Sequence, residues 1–191
     1  MRILAFDTAT SACSAALWED GGVRARRFET MTRGHAEALL PMITDVMDEA
    51  EAEFRELDLI AVTVGPGAFT GLRIGLAAAR GMALAAAAPC LGVTTLEAVA
   101  HGVSDEERAG ATLLVALTTK RRDIYAQTFD ALLSPLTPPQ VLLPDELMAL
   151  VPGGRVVVAG DAGGEVAAML TARHVDAVRS AAAAGKVRED R

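Results

Sequence analysis

The amino-acid sequence predicts an α/β fold in which two lobes repeat one unit, a β-turn-β pair followed by helices. Residues 4–20 (LAFDTATSACSAALWED) and 115–130 (VALTTKRRDIYAQTFD) align without a gap and share an apolar, turn and alternating pattern. In this alignment Asp7 meets Thr118. Strand and helix patterns also alternate in both halves, which is typical of α/β folds. The predicted parts are an N-terminal lobe (1–109), a short C-terminal lobe (110–179) and a tail (180–191).

The N-terminal half is predicted to begin with three strands and to continue with alternating helices and strands. Apolar runs bounded by turn residues indicate the strands, and apolar residues at helical spacing indicate the helices. Thr70 is expected to cap the second helix, and Thr94 or Thr95 the third, because a threonine hydroxyl can accept from an unpaired first-turn amide. The predicted strands are residues 2–8, 11–18, 23–29, 57–64 and 91–94, and the predicted helices are residues 35–52, 70–87 and 95 to about 108.

The C-terminal half repeats the opening hairpin and then continues with shorter elements. A proline-rich segment at 134–144 is expected to be a crossing or edge strand. The tail at 180–191 is rich in alanine and charge and is expected to fray. The other predicted elements are strands at 113–118, 123–129 and 155–159, a glycine loop at 160–164, and helices at 145–150 and 165–173.

Two helices of the first lobe carry more apolar surface than one sheet can cover. The apolar face of the helix at 35–52 covers roughly 160° of the helical wheel, whereas a sheet-packing helix needs roughly 100°. The helix at 70–87 is apolar on every side except the one that carries Arg73 and Arg80. Small residues along it would let another helix approach closely: Gly71, Gly75 and Ala78.

These two helices are therefore predicted to form a partner surface. Left in water, their apolar side chains would exceed the patch that a monomer normally exposes. Without another partner, the chain is expected to pair with a second copy in a two-fold, four-helix seam. Arg73 and Arg80 would lie at its edge and pair with acids such as Asp45 or Glu49. The predicted interface residues are Leu39, Met42, Ile43, Val46, Leu72, Arg73, Leu76 and Arg80.

The charge, the cysteine spacing and the apolar runs of the chain limit the classes of function that it can have. The net charge is −7 and the pI is near 5.0, whereas proteins that bind nucleic acid by themselves usually present a basic face. The nearest to basic runs are residues 24–27 and 120–122. Cys13 and Cys90 have neither metal-ligand spacing nor a disulfide-dense context. The N-terminus lacks the apolar centre of a signal peptide and no run matches a membrane span, so we expect a cytoplasmic protein.

Three segments, in order, resemble a known family. They are RGHAEALLPMI (33–43), VGPGAFTGLRIGLAAARGMALA (64–85) and PCLGVTTLEAVAH (89–101). With a first strand that ends in Asp7 and Thr8, they resemble the TsaB (YeaZ) family, strongly over residues 1–101 and more loosely as far as residue 161. TsaB is the dimerisation subunit of the bacterial machinery that makes N6-threonylcarbamoyladenosine in tRNA. The resemblance implies the actin-like ATPase fold, related to the ribonuclease H fold, whose two β-turns grip phosphates.

The catalytic relative in that family, TsaD, carries a metal-binding His-x-x-x-His after the strand that follows its central helix. The corresponding positions in this sequence are Thr95 and Val99, and a valine has no donor atom for a metal. The three histidines, His35, His101 and His174, are scattered along the chain. We therefore expect no metal site. The metallopeptidase interpretation requires a bound metal ion and is therefore not favoured.

The phosphate grip that the resemblance implies is also incomplete. The expected remnant of the nucleotide cleft consists of Asp7, Thr8, Thr10, Gly160 and Asp161. Thr118 stands where the second turn would need an acid, although the basic turn at 120–122 could attract an anion. Glycines at 160–164 would permit a ligand to approach closely, but they equally suit a strand-to-helix turn. Nucleotide binding is expected to be weak or absent, and no cofactor is expected.

The resemblance implies a non-catalytic subunit that pairs with TsaD. TsaD transfers the threonylcarbamoyl group to the adenosine beside the anticodon, the ATPase TsaE joins the assembly, and tRNA would be reached only through the complex. The alternative is an active ATP-dependent kinase of the same fold that acts on a sugar or small acid. It needs a general-base aspartate and a second phosphate loop, and Thr118 argues against both. Mixing the chain with TsaD would separate the two functions.

Overall fold

The computed structural model describes residues 1–119, 121–151 and 153–182 and contains two compact units. The first unit comprises Met1–Thr95 and the second begins at Leu96. The division falls there because the helix that begins at Thr95 buries its apolar side chains against the sheet of the second unit. The boundary predicted from the sequence, between residues 109 and 110, lies further along the chain.

The first unit is built on a five-stranded sheet with the order β3-β2-β1-β4-β5. Strands β1, β2 and β3 are antiparallel neighbours, whereas β4 runs parallel to β1, and β5 runs parallel to β4. The opening strands, the hairpin turn and the crossover helices follow the predicted order. The strands are β1 (Arg2–Thr10), β2 (Ala12–Glu19), β3 (Gly22–Thr30), β4 (Leu59–Thr63) and β5 (Cys90–Val93).

Two helices cover one face of this sheet. Helix α1 (His35–Glu49) packs on β2 and β3, and helix α2 (Phe69–Ala86) packs on β1 and β4. Their apolar side chains join those of the strands in a single core, whose largest members are fully buried. Those members are Leu4, Leu17, Leu39, Ile43, Met47 and Ile60.

The second unit repeats the same sheet. Its order is β8-β7-β6-β9-β10, with the same antiparallel and parallel pairings as the first sheet. The predicted duplication is therefore confirmed at the level of topology. Helix α5 (Gly163–Ala172) covers one face and helix α3 (Thr95–His101) the other. The strands are β6 (Thr112–Thr118), β7 (Ile124–Phe129), β8 (Gln140–Leu142), β9 (Val156–Ala159) and β10 (Ala177–Arg179).

Helix ends differ from the predictions in three places. Helix α2 begins at Phe69 and Ala68 occupies the cap position, so the predicted cap at Thr70 is wrong. Helix α1 ends at Glu49, three residues earlier than predicted. The helix predicted over 95–108 is two helices, because Ser104 starts α4 (Asp105–Arg108) with a reciprocal cap: its hydroxyl accepts from the Glu107 amide at 3.2 Å.

The beginning of the predicted tail is anchored. Ser180 is 5% exposed, and its amide donates to the carbonyl of Val158 at 2.8 Å. The next amide, of Ala181, donates to Glu107 Oε1 at 2.9 Å. The expected fraying is therefore wrong for residues 180–182, of which Ser180 continues the pairing with β9. Residues 183–191 lie outside the described residues.

Candidate functional site

The first β-turn encloses its only carboxylate. Asp7 is 7% exposed, and its Oδ1 accepts from the Ala9 amide at 2.9 Å and from the Thr63 hydroxyl. Its Oδ2 accepts from the Thr10 hydroxyl at 3.5 Å. The ring of His35 donates through Nε2 to the Thr10 carbonyl at 3.1 Å, which ties the start of α1 to the same turn. These contacts hold the turn together from within.

Burial raises the pKa of Asp7 above its ordinary value, although the hydrogen bonds from Thr63, Ala9 and Thr10 oppose this shift. A buried carboxylate favours its neutral form unless enough donors compensate. Both oxygens of Asp7 already accept from donors of its own unit. The geometry therefore gives this side chain a structural role in closing the turn.

Glycines let the first turn of α2 press against the end of β1. A Cβ atom on Gly71 would lie 2.0 Å from the Thr8 carbonyl oxygen, and one on Gly67 would lie 2.4 Å from the Ala9 carbonyl oxygen. On Gly75 it would meet the Thr8 hydroxyl at 2.7 Å. The Thr8 hydroxyl in turn donates to the Gly71 carbonyl at 2.7 Å. The prediction that Gly71 and Gly75 admit another helix is wrong, because both glycines lie against strand residues of their own sheet.

The second β-turn receives a carboxylate from elsewhere in its unit. The backbone amide of Thr118 donates to Asp161 Oδ1 at 2.8 Å. Gly160 precedes this aspartate with φ +105°, and a Cβ atom there would lie 2.1 Å from the Ala116 carbonyl oxygen. Gly160 is therefore required for β9 to end beside β6. Asp161 supplies the acid that Thr118 cannot, a proximity that strand order alone does not reveal.

The positions corresponding to the metal-binding histidines of TsaD are buried. Thr95 is 1% exposed, and its hydroxyl makes no hydrogen bond within the described part of the chain. Val99 is 4% exposed and belongs to the core of the second unit. Across residues 1–119, 121–151 and 153–182, no group of three or more His, Cys, Asp or Glu is placed to hold a metal ion.

The apolar side chains of α1 face its own sheet. Leu39, Met42, Ile43 and Val46 are between 0 and 7% exposed and belong to the core of the first unit. The prediction that these four residues form a partner surface is wrong, because β2, β3 and α2 together cover the wide apolar face. Leu40, at 54% exposed, is the large apolar residue of α1 that remains at the surface.

Helix α2 presents a different side outwards. Leu72 and Leu76 are half-buried, whereas Arg73 and Arg80 are exposed. The Arg73 guanidinium stacks over the Phe69 ring, with 4.0 Å from Cζ to the ring centroid. We call this outward side the α2 stripe, and it consists of Phe69, Arg73, Ala77, Arg80 and Leu84.

Two members of the α2 stripe were absent from the predicted interface. Phe69 is 68% exposed and Leu84 is 85% exposed. Their spacing, at one residue of the stripe per helical turn, was a usable signal. The sequence prediction instead assigns the partner surface to the fully apolar sides of α2, and these sides pack against the core of the first unit.

Comparisons with known structures show the actin-like ATPase fold. The (R)-2-hydroxyglutaryl-CoA dehydratase component A of Acidaminococcus fermentans superposes with a TM-score of 0.56 over 95% of this chain and 92% of that chain, at 12% identity. This likeness concerns the fold alone. A family model described as "TsaD: tRNA N6-adenosine threonylcarbamoyltransferase" matches residues 19–175.

Relatives at higher identity narrow the class. The Escherichia coli tRNA threonylcarbamoyladenosine biosynthesis protein TsaB is 44% identical over 126 residues, which are 65% of this chain and 53% of that protein. A Pseudomonas aeruginosa structure described as similar to peptidase YEAZ has a TM-score of 0.82 at 30% identity and covers 99% of this chain and 87% of its own. The chain belongs to the TsaB (YeaZ) family. It spans about half the length of the curated relatives that it matches.

Proposed function

We propose that this protein is a non-catalytic subunit that pairs with TsaD for N6-threonylcarbamoylation of the adenosine beside the anticodon of tRNA. The observation that carries the proposal is the α2 stripe, an apolar and basic exposed surface on a helix that buries Gly71, Gly75 and Ala79 on its inner side. The names of the relatives support the pathway. The family model, which is described as TsaD and matches residues 19–175, supports a partner of the TsaD type.

The chemistry of the stripe favours a partner helix with acidic and apolar residues. Arginine and aromatic side chains are enriched at the centres of protein interfaces, and Arg73 is already stacked on Phe69. Without TsaD, we propose that a second copy occupies the stripe across a two-fold axis. The exposed side of α1 then supplies Asp45, since Glu49 already pairs with Arg27 at 2.5 Å within the same unit.

The absence of catalysis is proposed on the chemistry of the residues. Both oxygens of Asp7 are engaged within the first unit, so this carboxylate is a poor general base. Thr95 and Val99 replace the metal-binding pair of TsaD. We further propose that TsaE joins the assembly and that tRNA is held by the complex, in the cytoplasm where tRNA is modified.

The test is a charge placed on the exposed leucine at the C-terminal end of the α2 stripe. Burying a leucine side chain contributes roughly 1.5–3 kcal/mol, so Leu84→Glu should weaken the homodimer and the TsaD complex by about ten-fold to a hundred-fold. Sedimentation measures the homodimer, and co-purification and modification of tRNA measure the complex. Leu132→Glu is the matched control, because Leu132 is 87% exposed in the second unit and Leu84 is 85% exposed.

Two results would contradict the proposal. One is a Leu84→Glu protein that dimerises, binds TsaD and supports modification as well as the Leu132→Glu protein does. The other is tRNA modification by this chain without TsaD, which would make it an enzyme. Circular dichroism of both variants checks that the exposed substitutions leave the fold intact.

A further inference from the structure

The two short basic runs of the sequence lie in different electrostatic surroundings. The run in β3 is neutralised within the first unit. Arg24 Nε lies 3.5 Å from Glu19 Oε2, and Arg27 pairs with Glu49 at 2.5 Å. These arginines therefore have carboxylate partners of their own. The two described arginines of the run between β6 and β7, Arg121 and Arg122, are different.

That turn is fixed by a threonine and an aspartate. The Thr119 hydroxyl lies 2.8 Å from the Asp123 carbonyl oxygen and 2.6 Å from its Oδ1, and it accepts from the Arg121 amide at 3.1 Å. Arg121 and Arg122 are both exposed. Within the described residues neither forms an ion pair with a carboxylate. The turn thus fixes the backbone amide of Arg121, while the side chains of Arg121 and Arg122 are exposed to solvent.

The net charge of the turn is opposite in sign to the net charge of the whole chain. Arg121 and Arg122 carry two positive charges, and Asp123 carries one negative charge. Hydrogen bonding to Thr119, helped by the charge of Arg121, lowers the pKa of Asp123 and keeps this carboxylate ionised. One net positive charge remains on these three residues, in a chain whose total is −7. An anion with closely spaced charges fits such a site better than a single carboxylate does.

We propose that Arg121 and Arg122, in the turn between β6 and β7, contact the phosphodiester backbone of tRNA in the assembly. This inference rests on the proposed function, which places tRNA beside the protein. Guanidinium groups bind phosphate oxygens in a two-pronged geometry, and backbone contacts of this kind position RNA without reading its sequence. An acidic protein surface would also attract the turn, but the relatives' names place tRNA in the pathway.

The experiment removes the two arginines and measures tRNA affinity against salt. Arg121→Ala/Arg122→Ala should weaken binding of an unmodified tRNA transcript to the TsaD complex by about three- to ten-fold near physiological salt. The slope of log affinity against log salt should fall by about two, because each lost phosphate contact lowers it by roughly one. Arg121→Lys/Arg122→Lys keeps the charge and should retain most of the affinity.

The control removes the same charge elsewhere. Arg24→Ala/Arg27→Ala should leave tRNA affinity within about two-fold, because its arginines are already neutralised. Equal losses in both double variants would mean a net-charge effect and would overturn the inference, as would unchanged affinity and salt slope in the Arg121→Ala/Arg122→Ala protein. Loss of TsaD binding in that protein would make the turn a protein contact instead.

Two further measurements separate this inference from the proposed function. The same titrations use the chain alone at low salt, so the turn is tested even if TsaD does not bind the wild-type protein. Absence of tRNA binding there and in the mixture would overturn the inference. ATP is titrated in parallel, and an affinity loss for ATP but not for tRNA would assign the turn to a small nucleotide.

Discussion

Asp7 closes the first β-turn from within, and its protonation is linked to stability. Its pKa in the folded protein is raised by burial, so the folded state holds this proton more tightly than the unfolded chain does. The folded state is therefore penalised as pH rises from the ordinary aspartate range through the raised folded value, and the penalty is complete above it. Below the ordinary value both states are protonated and the penalty is absent.

Asp7→Asn removes this titration and keeps an oxygen for Ala9 and Thr63. The variant should gain stability relative to the wild type as pH rises, and the gain should vanish in acid. Urea unfolding at several pH values measures it. The reconstituted assembly should keep most of its rate, whereas a loss of about a thousand-fold, typical of a missing catalytic base, would contradict the structural role.

Gly71 and Gly81 lie in the same helix but should respond oppositely to alanine. A Cβ atom on Gly71 would lie 2.0 Å from the Thr8 carbonyl oxygen, whereas one on Gly81 would meet no atom within 4 Å. Gly71→Ala should cost about 2–4 kcal/mol through overpacking and backbone shift. Gly81→Ala should gain about 0.5–1 kcal/mol from helix propensity. Denaturant midpoints of the two variants measure this difference in stability. Similar midpoints would contradict the close packing of Gly71 against Thr8.

At the scale of elements, the break between α3 and α4 depends on a cap. Ser104 accepts from the Glu107 amide, and the Glu107 carboxylate lies 3.5 Å from the Ser104 amide and 2.9 Å from the Ala181 amide. Ser104→Ala should cost about 1 kcal/mol, and Ser104→Gly only a few tenths. Thermal unfolding gives the comparison, and equal losses would show that the hydroxyl is unimportant.

The order of strands and helices in each unit could be predicted because apolar periodicity and turn residues are local signals. The side of a helix that packs against the core could not be predicted in this way. The wheel of α2 separates its stripes correctly, but both the glycine-rich side and the leucine side suit burial. The choice was decided by a close approach between Gly71 and Thr8, residues far apart in sequence. The contact between Asp161 and Thr118 could not be predicted for the same reason, because these residues are also far apart in sequence.

At the scale of the whole molecule, each half of the chain forms a sheet of the same topology, but the helices and turns around the two sheets differ. The repeated strand order was predictable from one gapless alignment. The chemistry of the two hairpin turns was not repeated: one encloses Asp7, and the other exposes Arg121 and Arg122. Sequence composition gave the total charge but not which arginines were neutralised, because ion pairs such as Arg27 with Glu49 join separate elements.

The contact between the α2 glycines and β1 also sets the rotation of the helix about its own axis. Turning α2 by a single residue would drive Thr70 or Leu72 into the Thr8 backbone, which leaves no room for either side chain. The angular position of Phe69, Arg73 and Leu84 is therefore determined from the buried side of the helix. A substitution at an inward glycine would change the direction in which the α2 stripe faces without altering any residue of the stripe.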